Sequence, residues 1–401
     1  MRLKDALIIA ALLALAAGPA AAEDIPVKIG VLNDRSGVYA DLAGEGSVIA
    51  ARMAVEDFGA AAKGIKVEIV SADHQNKPDI ASNIARQWID QDGVDVIADV
   101  PTSSAALAVN EVVREKNKIF LVSGAASSDL TGPKCSPNTV QWTYDTWALA
   151  HGTGKAMVEH GGRKWFFITA DYAFGQALER DTTAVVKAAG GEVVGSVKHP
   201  FPGQDFSSFL LQAQSSGAQV IGLANAGGDT INSIKQAAEF GITQGGQKLA
   251  GLLIFITDVH ALGLQAAQGL VLTEAFYWDK DDGTRAFSKR FGERFGGKMP
   301  SMVHAGVYAS VLHYLKAVDA LKSKDPEAVM AKMKEMPTED PLFGKGHIRI
   351  DGRHIHDMYL VEVKKPAESK GPWDYYKTLA TIPADQAFRP LDQGDCPLVK
   401  K

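Results

Sequence analysis

The residues best able to do chemistry in this chain are small, polar and grouped in short loops. Asn33-Asp34-Arg35-Ser36-Gly37-Val38-Tyr39, Asp99-Val100-Pro101-Thr102-Ser103-Ser104 and Ser123-Gly124-Ala125-Ala126-Ser127-Ser128-Asp129 each follow an apolar run that reads as a strand. Thr102, Ser103 and Ser104 stand where a helix is predicted to begin. Free N–H groups and a partial positive charge at a helix start suit a small anion, and hydroxyls add donors. Any one of these loops is equally open to plain N-capping by Ser or Thr. Three of them at equivalent places point to an anion site. Asp171-Tyr172-Ala173-Phe174-Gly175, Asn225-Ala226-Gly227-Gly228-Asp229 and Thr257-Asp258 repeat the arrangement further along. Tyr39, Tyr172 and Phe174 could wall an apolar ligand body, or pack as ordinary hinge and core aromatics.

Other chemistries find no support. The chain has no phosphate-binding Gly-x-x-x-x-Gly-Lys-Ser/Thr, no His-Glu-x-x-His, no Cys-x-x-Cys and no Gly-x-Ser-x-Gly. Gly44-Glu45-Gly46 lacks the third glycine of a dinucleotide loop and reads as a lead into a helix. His354-Ile355-His356 would put two imidazoles on one face of a strand. With Asp351 and Asp357 nearby a metal site is conceivable, but a solvated hairpin is the favoured reading. His74, His151, His260 and His304 show no paired motif for a hydrolase. No cofactor, metal or catalytic residue is expected.

The elements that must position these loops alternate. Val27–Leu32, Ile65–Val70, Val94–Ala98 and Ile119–Val122 read as strands. Segments 46–58, 78–90 and 103–116 between them carry apolar residues at helical spacing. That βαβ order implies a parallel sheet covered on both faces. The pattern restarts with strands at Trp165–Thr169, Glu192–Val197, Val220–Leu223 and Leu252–Ile256, separated by helices. Later, Gly346–Ile350 and Met358–Lys364 read as an antiparallel pair around Asp351-Gly352, and the tail from Pro366 as a surface wrap. The expected class is α/β with two Rossmann-like lobes. At 401 residues the chain is long enough to split its core this way. A net charge of −5 supplies no positive field for nucleic acid.

Residues 1–22 carry Arg2 and Lys4, an apolar run from Ala6 to Ala17, and Ala20-Ala21-Ala22 at the end. This is the pattern of a secretory signal peptide, and the apolar run falls short of the ~20 residues that span a bilayer. No cysteine follows the run, so no lipid anchor is expected. Export makes Cys135 and Cys396, both in turn-rich loops, candidates for one disulfide tying the tail to mid-chain. Two free or intermolecular thiols are the alternative.

Taken in order, Val-Lys-Ile-Gly-Val-Leu, Ser-Gly-Val-Tyr-Ala, Ala-Val-Glu-Asp-Phe, Pro-Thr-Ser-Ser-Ala, Ser-Gly-Ala-Ala-Ser-Ser-Asp-Leu-Thr and Asp-Tyr-Ala-Phe-Gly-Gln give the mature chain a resemblance. It resembles the type I periplasmic substrate-binding proteins of ABC transporters, in the branched-chain amino acid (Leu/Ile/Val-binding) class. The resemblance implies a three-crossing hinge, a ligand trapped between lobes and delivery to an inner-membrane ABC permease. The implied division is 27–143 plus 276–342 for the N-terminal lobe and 144–275 plus 343–385 for the C-terminal lobe. Residues 386–401 would form a tail returning to the Cys135 loop. It implies a monomer in the periplasm with a small-molecule carboxylate ligand. Carried over by position, Thr102 and Ser103 meet the carboxylate and Ala125 and Ser127 contact the same end. Phe174 supplies an aromatic from the second lobe, and Asn225 lies near the next contact. Asp258 lies near the acid that holds an α-ammonium group. Amino-acid binders of the class place a tyrosine near Ala226 and a glutamate near Asp258, and this chain has neither. Related proteins that take up aromatic carboxylates lack that clamp, so both ligand classes stay open. A binding partner of a membrane sensor, or a secreted α/β hydrolase, are the remaining alternatives.

Overall fold

The structure, a computed structural model, describes residues 24–400. The leader expected over residues 1–22 lies outside them. The first sheet contains β1 (Ile25–Asn33), β2 (Ile65–Asp73), β3 (Val96–Asp99), β4 (Ile119–Val122) and β5 (Thr139–Gln141). Its order is β2-β1-β3-β4-β5, with every pair parallel. β3 and β4, Val-Ile-Ala-Asp and Ile-Phe-Leu-Val, are buried along their whole length, as strands covered on both faces must be. The crossovers are α1 (Gly44–Phe58), α2 (Pro78–Asp90) and α3 (Ser103–Glu115). α2 begins at Pro78, whose missing N–H costs nothing at a helix start.

The second sheet repeats this plan. It holds β6 (Lys164–Ala170), β7 (Glu192–His199), β8 (Val220–Ala224) and β9 (Lys248–Gly251) in the parallel order β7-β6-β8-β9. Its helices are α4 (Ala173–Ala188), α5 (Ser207–Ser215), α6 (Gly228–Glu239) and α7 (Ile256–Leu262). In both sheets the strand order reverses beside the first strand, between β1 and β3 and between β6 and β8. Loops diverge at such a switch point and leave a crevice at the strands' carboxyl ends. The two crevices are the two halves of the cleft described below.

The rest of the chain ties the lobes together. α8 (Asp282–Arg294), α9 (Met302–Leu321) and α10 (Pro326–Glu335) follow β10 (Val271–Glu274). α9 is buried almost all round and packs on α1, where His304 Nε2 lies 2.8 Å from the Ala43 carbonyl. Next come β11 (Thr338–Asp340), β12 (Gly344–Ile348), β13 (His354–Ile355), β14 (Met358–Val363) and β15 (Tyr376–Ile382). β11-β12-β13 form one antiparallel sheet and β10-β14-β15 another. The crossing segments at 142–145 and 353–357 lie side by side. Arg353 Nη1 donates to the Tyr144 carbonyl at 2.9 Å, and His356 Nε2 faces the Thr143 carbonyl at 2.8 Å. The Cys135–Cys396 disulfide is present, with Cα atoms 5.6 Å apart.

Three expectations are corrected. The strand placed at Leu252–Ile256 lies four residues earlier, as β9, and Ile256 instead opens α7. An unbroken apolar run from 249 to 256 carries no period to mark where strand stops and helix starts. The segments 346–350 and 358–364 do not pair with each other: β12 pairs with β11 and β13, and β14 with β10 and β15. His354 and His356 are not solvated but fully buried, held against backbone carbonyls of the first crossing. Among the described residues no group of three or more His, Cys, Asp or Glu is placed to hold a metal.

Candidate functional site

Between the lobes lies a narrow cavity of about 10 Å³, room for about one water. The first lobe and first crossing supply Tyr39, Leu42, Pro101, Gly124, Ala126 and Tyr144; the second lobe supplies Tyr172, Phe174, Ala226, Leu253 and Phe255. Five of these eleven are aromatic and none is charged. Each wall grows from a strand end. The loop after β1 is preset by Asp34, whose carboxylate accepts the N–H groups of Gly37 and Tyr39, both at 2.8 Å. After β3 the backbone turns left-handed at both Asp99 (φ 81°) and Val100 (φ 53°). A β-branched residue there is strained, and such strain gathers at functional sites. Pro101 is thereby set against Gly124, where any Cβ would sit 2.6 Å from the proline's own.

The hydroxyls expected to reach a ligand are hydrogen-bonded within the protein. Thr102 Oγ1 donates to Asn76 Oδ1, and Ser103 Oγ accepts the Ser127 N–H at 3.1 Å. Ser127 Oγ accepts from Asp129 N–H at 3.4 Å, and Gln141 Nε2 donates to the Ala125 and Ser127 carbonyls at 2.9 and 3.1 Å. These contacts lock the loops after β3 and β4 to each other just behind the cavity wall. Thr102, Ser103, Ala125 and Ser127 are all buried there, while Pro101, Gly124 and Ala126 face the space.

In the second lobe, Tyr172 and Phe174 open α4 and line the cavity. Asn225 turns away from it: its Oδ1 accepts from Thr230 Oγ1 at 2.7 Å and its Nδ2 donates to Ser233 Oγ at 3.1 Å. Its neighbour Ala226 takes the wall position. Asp258 lies inside the first turn of α7, accepting the Phe255 N–H at 2.9 Å, and Leu253 and Phe255 form the wall in front of it. The structure thus brings Tyr39, Tyr172 and Phe174 together and sets the other six expected residues one layer back. Leu42, Tyr144, Leu253 and Phe255 were not anticipated; Leu42 lies ahead of α1, and the other three follow strand ends. Tyr144 follows β5, and its hydroxyl donates to the Gly124 carbonyl at 2.7 Å. The strand-end rule would have found all three had β5 and β9 been placed correctly.

Burial sets the protonation of this region. The Tyr39 and Tyr144 phenols are held well above their ordinary value by burial, so they are neutral. Burial likewise pushes the Asp258 carboxyl up to about 7, against the opposing Phe255 N–H. Its proton is thus held more tightly in the folded than in the unfolded chain, so stability falls as pH rises between the unfolded and folded values. Asp258→Asn keeps an acceptor for Phe255 and removes the titration. The expected result is a higher melting midpoint than the parent at about pH 8 and near equality at about pH 4, read by thermal melts across that range.

Known proteins extend the picture. A periplasmic binding protein from Burkholderia mallei is 54% identical, with a TM-score of 0.91 over 95% of this chain and 100% of its own. A branched chain amino acid ABC transporter periplasmic ligand-binding protein from Burkholderia xenovorans LB400 is 45% identical, with a TM-score of 0.82 over 93% and 99%. An ABC transporter solute binding protein from R. palustris, in complex with 4-hydroxybenzoate, is 25% identical, with a TM-score of 0.81 over 90% and 97%. The family described as periplasmic binding protein matches residues 26–371. That match runs through both parallel sheets and the segments 142–145 and 353–357 between them, and the chain belongs to the periplasmic binding protein family.

Proposed function

We propose that this chain is the extracytoplasmic solute-binding component of an ABC importer and captures a small carboxylate by closing two lobes over it. The observation that carries this reading is the cavity between the lobes, whose wall comes from both of them. A ligand touching both halves stabilises the closed state by its extra contacts there. The division proposed is 27–143 plus 276–342 against 144–275 plus 343–385, with residues 1–22 removed on export to the periplasm. The chain acts by binding, without turnover, and passes its ligand to an inner-membrane permease.

The carboxylate docks at the N-terminus of α3, whose N–H groups begin directly after the wall residue Pro101. The far end of the ligand meets Phe174, Phe255, Leu253 and Tyr144. An α-ammonium group needs a carboxylate in front of it, and none of the eleven wall residues has one. That favours an aromatic carboxylate, such as the R. palustris protein holds, over the amino acids named for the B. xenovorans relative. A thermal-shift screen tests it. Benzoate and 4-hydroxybenzoate should raise the midpoint, by about 2.7 kcal/mol of added stability at a hundredfold excess over Kd. Leucine, isoleucine and valine should not. A shift with the amino acids alone defeats the aromatic assignment and keeps the binding role.

A further inference from the structure

Tyr39 and Tyr172 reach the cavity from opposite lobes, 133 residues apart in sequence, and their hydroxyls lie 2.5 Å from each other. Both rings are braced by Phe201 of the second lobe, with centroids 4.2 Å from Tyr172 and 5.5 Å from Tyr39. Beside them the Gly228 N–H donates to the Val38 carbonyl at 3.2 Å, a second bond across the cleft. The loop carrying Val38 and Tyr39 is already rigid, because Asp34 holds its N–H groups and itself accepts from Asn76 Nδ2 at 2.6 Å. Little chain entropy is therefore lost when the two tyrosines meet.

We propose that Tyr39 and Tyr172 are a latch between the lobes: their bond to each other, rather than to the ligand, sets the rate at which the closed protein opens. The inference rests on the closure reading above and adds a division of labour. Selection among ligands falls to Phe174, Phe255 and Leu253, and residence time to the tyrosine pair. Burial holds both phenols well above their ordinary value, so both are protonated at neutral pH. A latch has two signatures that a pair of ligand contacts lacks. Removing either hydroxyl removes the whole bond, so the two substitutions are coupled. The loss also appears in opening and not in closing.

The test is single-molecule fluorescence on the full chain, with dyes on Lys66→Cys in β2 and Lys235→Cys in α6, both exposed positions on opposite lobes. Closed-state dwell times are recorded in buffer alone, with 4-hydroxybenzoate and with leucine. Tyr39→Phe and Tyr172→Phe, which keep both rings, should each shorten the dwell by roughly three- to tenfold, the worth of one net hydrogen bond. The double variant should shorten it no further, and closing rates should stay unchanged. Independent effects that multiply in the double variant, or unchanged dwell times, overturn the latch. A parent protein that holds one fixed interlobe distance in all three conditions overturns the closure reading, and the latch with it.

Discussion

Replacing Arg353 by methionine is expected to cost about 3–5 kcal/mol of stability, the loss seen when one partner of a buried ion pair is removed. Arg353 is fully buried where two crossings meet. Its Nη1 donates to the Tyr144 carbonyl at 2.9 Å and lies 3.6 Å from the Asp145 carboxylate, and its Nε donates to the His354 carbonyl at 3.0 Å. The guanidinium also sits 4.4 Å from the centre of the Phe388 ring, which brings the C-terminal tail onto the same spot. Burial draws its proton affinity down to about 10, which still leaves it charged at neutral pH. Methionine fills much of the volume but leaves the buried Asp145 carboxylate with the Ala148 N–H at 2.8 Å and the more distant charge of Arg389. Chemical denaturation should show the midpoint falling. Arg353→Met with Asp145→Asn should recover most of the loss, because no bare charge then remains. Equal losses in the single and double variants would mean that the carbonyl contacts, not the ion pair, carry the effect.

Gly227→Ala is expected to weaken ligand binding by tenfold or more. Gly227 has φ 57°, and a Cβ there would lie 2.5 Å from the Val38 carbonyl oxygen and 2.9 Å from the Tyr39 ring. Both neighbours belong to the other lobe, so under the proposed closure the clash exists only when the cleft is shut. Apparent affinity falls with the population of the competent state, and each 1.4 kcal/mol laid on the closed form is a factor of ten. Backbone strain adds about 1–3 kcal/mol in open and closed forms alike. The ligand-free melting midpoint therefore drops modestly while titration calorimetry shows the larger loss. An unchanged Kd would show that Val38 and Gly227 do not meet in the bound protein.

Both effects turn on contacts that sequence spacing does not display. What the sequence displays well is the alternation of apolar runs with amphipathic segments, because strands buried on both faces cannot hide: Ile119–Val122 is placed to the residue. The loops at strand ends follow from that alternation, so Tyr39, Tyr172 and Phe174 come out at the cavity. Short or exposed strands leave no such trace. β5 is three residues long, and most of β15 is exposed, so neither shows a period. Tyr144 is missed with β5. The fate of a hydroxyl is harder still. Nothing in the spacing shows that Thr102 donates to Asn76, 26 residues earlier. His354 and His356 look solvated because nothing local announces that Trp142 and Thr143 will close over them.

The disulfide has a mechanical meaning as well as a structural one. It joins Cys135, just before β5, to Cys396, 261 residues later, so the second parallel sheet and the crossing segments at 142–145 and 353–357 lie within one covalent ring. Tension applied between the two ends of the folded chain runs from the first lobe to Cys135, through the sulfur bridge, and out at Cys396. The second lobe is a side loop on that rope and carries none of the load. A tether fixed to the C-terminus accordingly pulls on the first lobe and leaves the proposed closing motion slack.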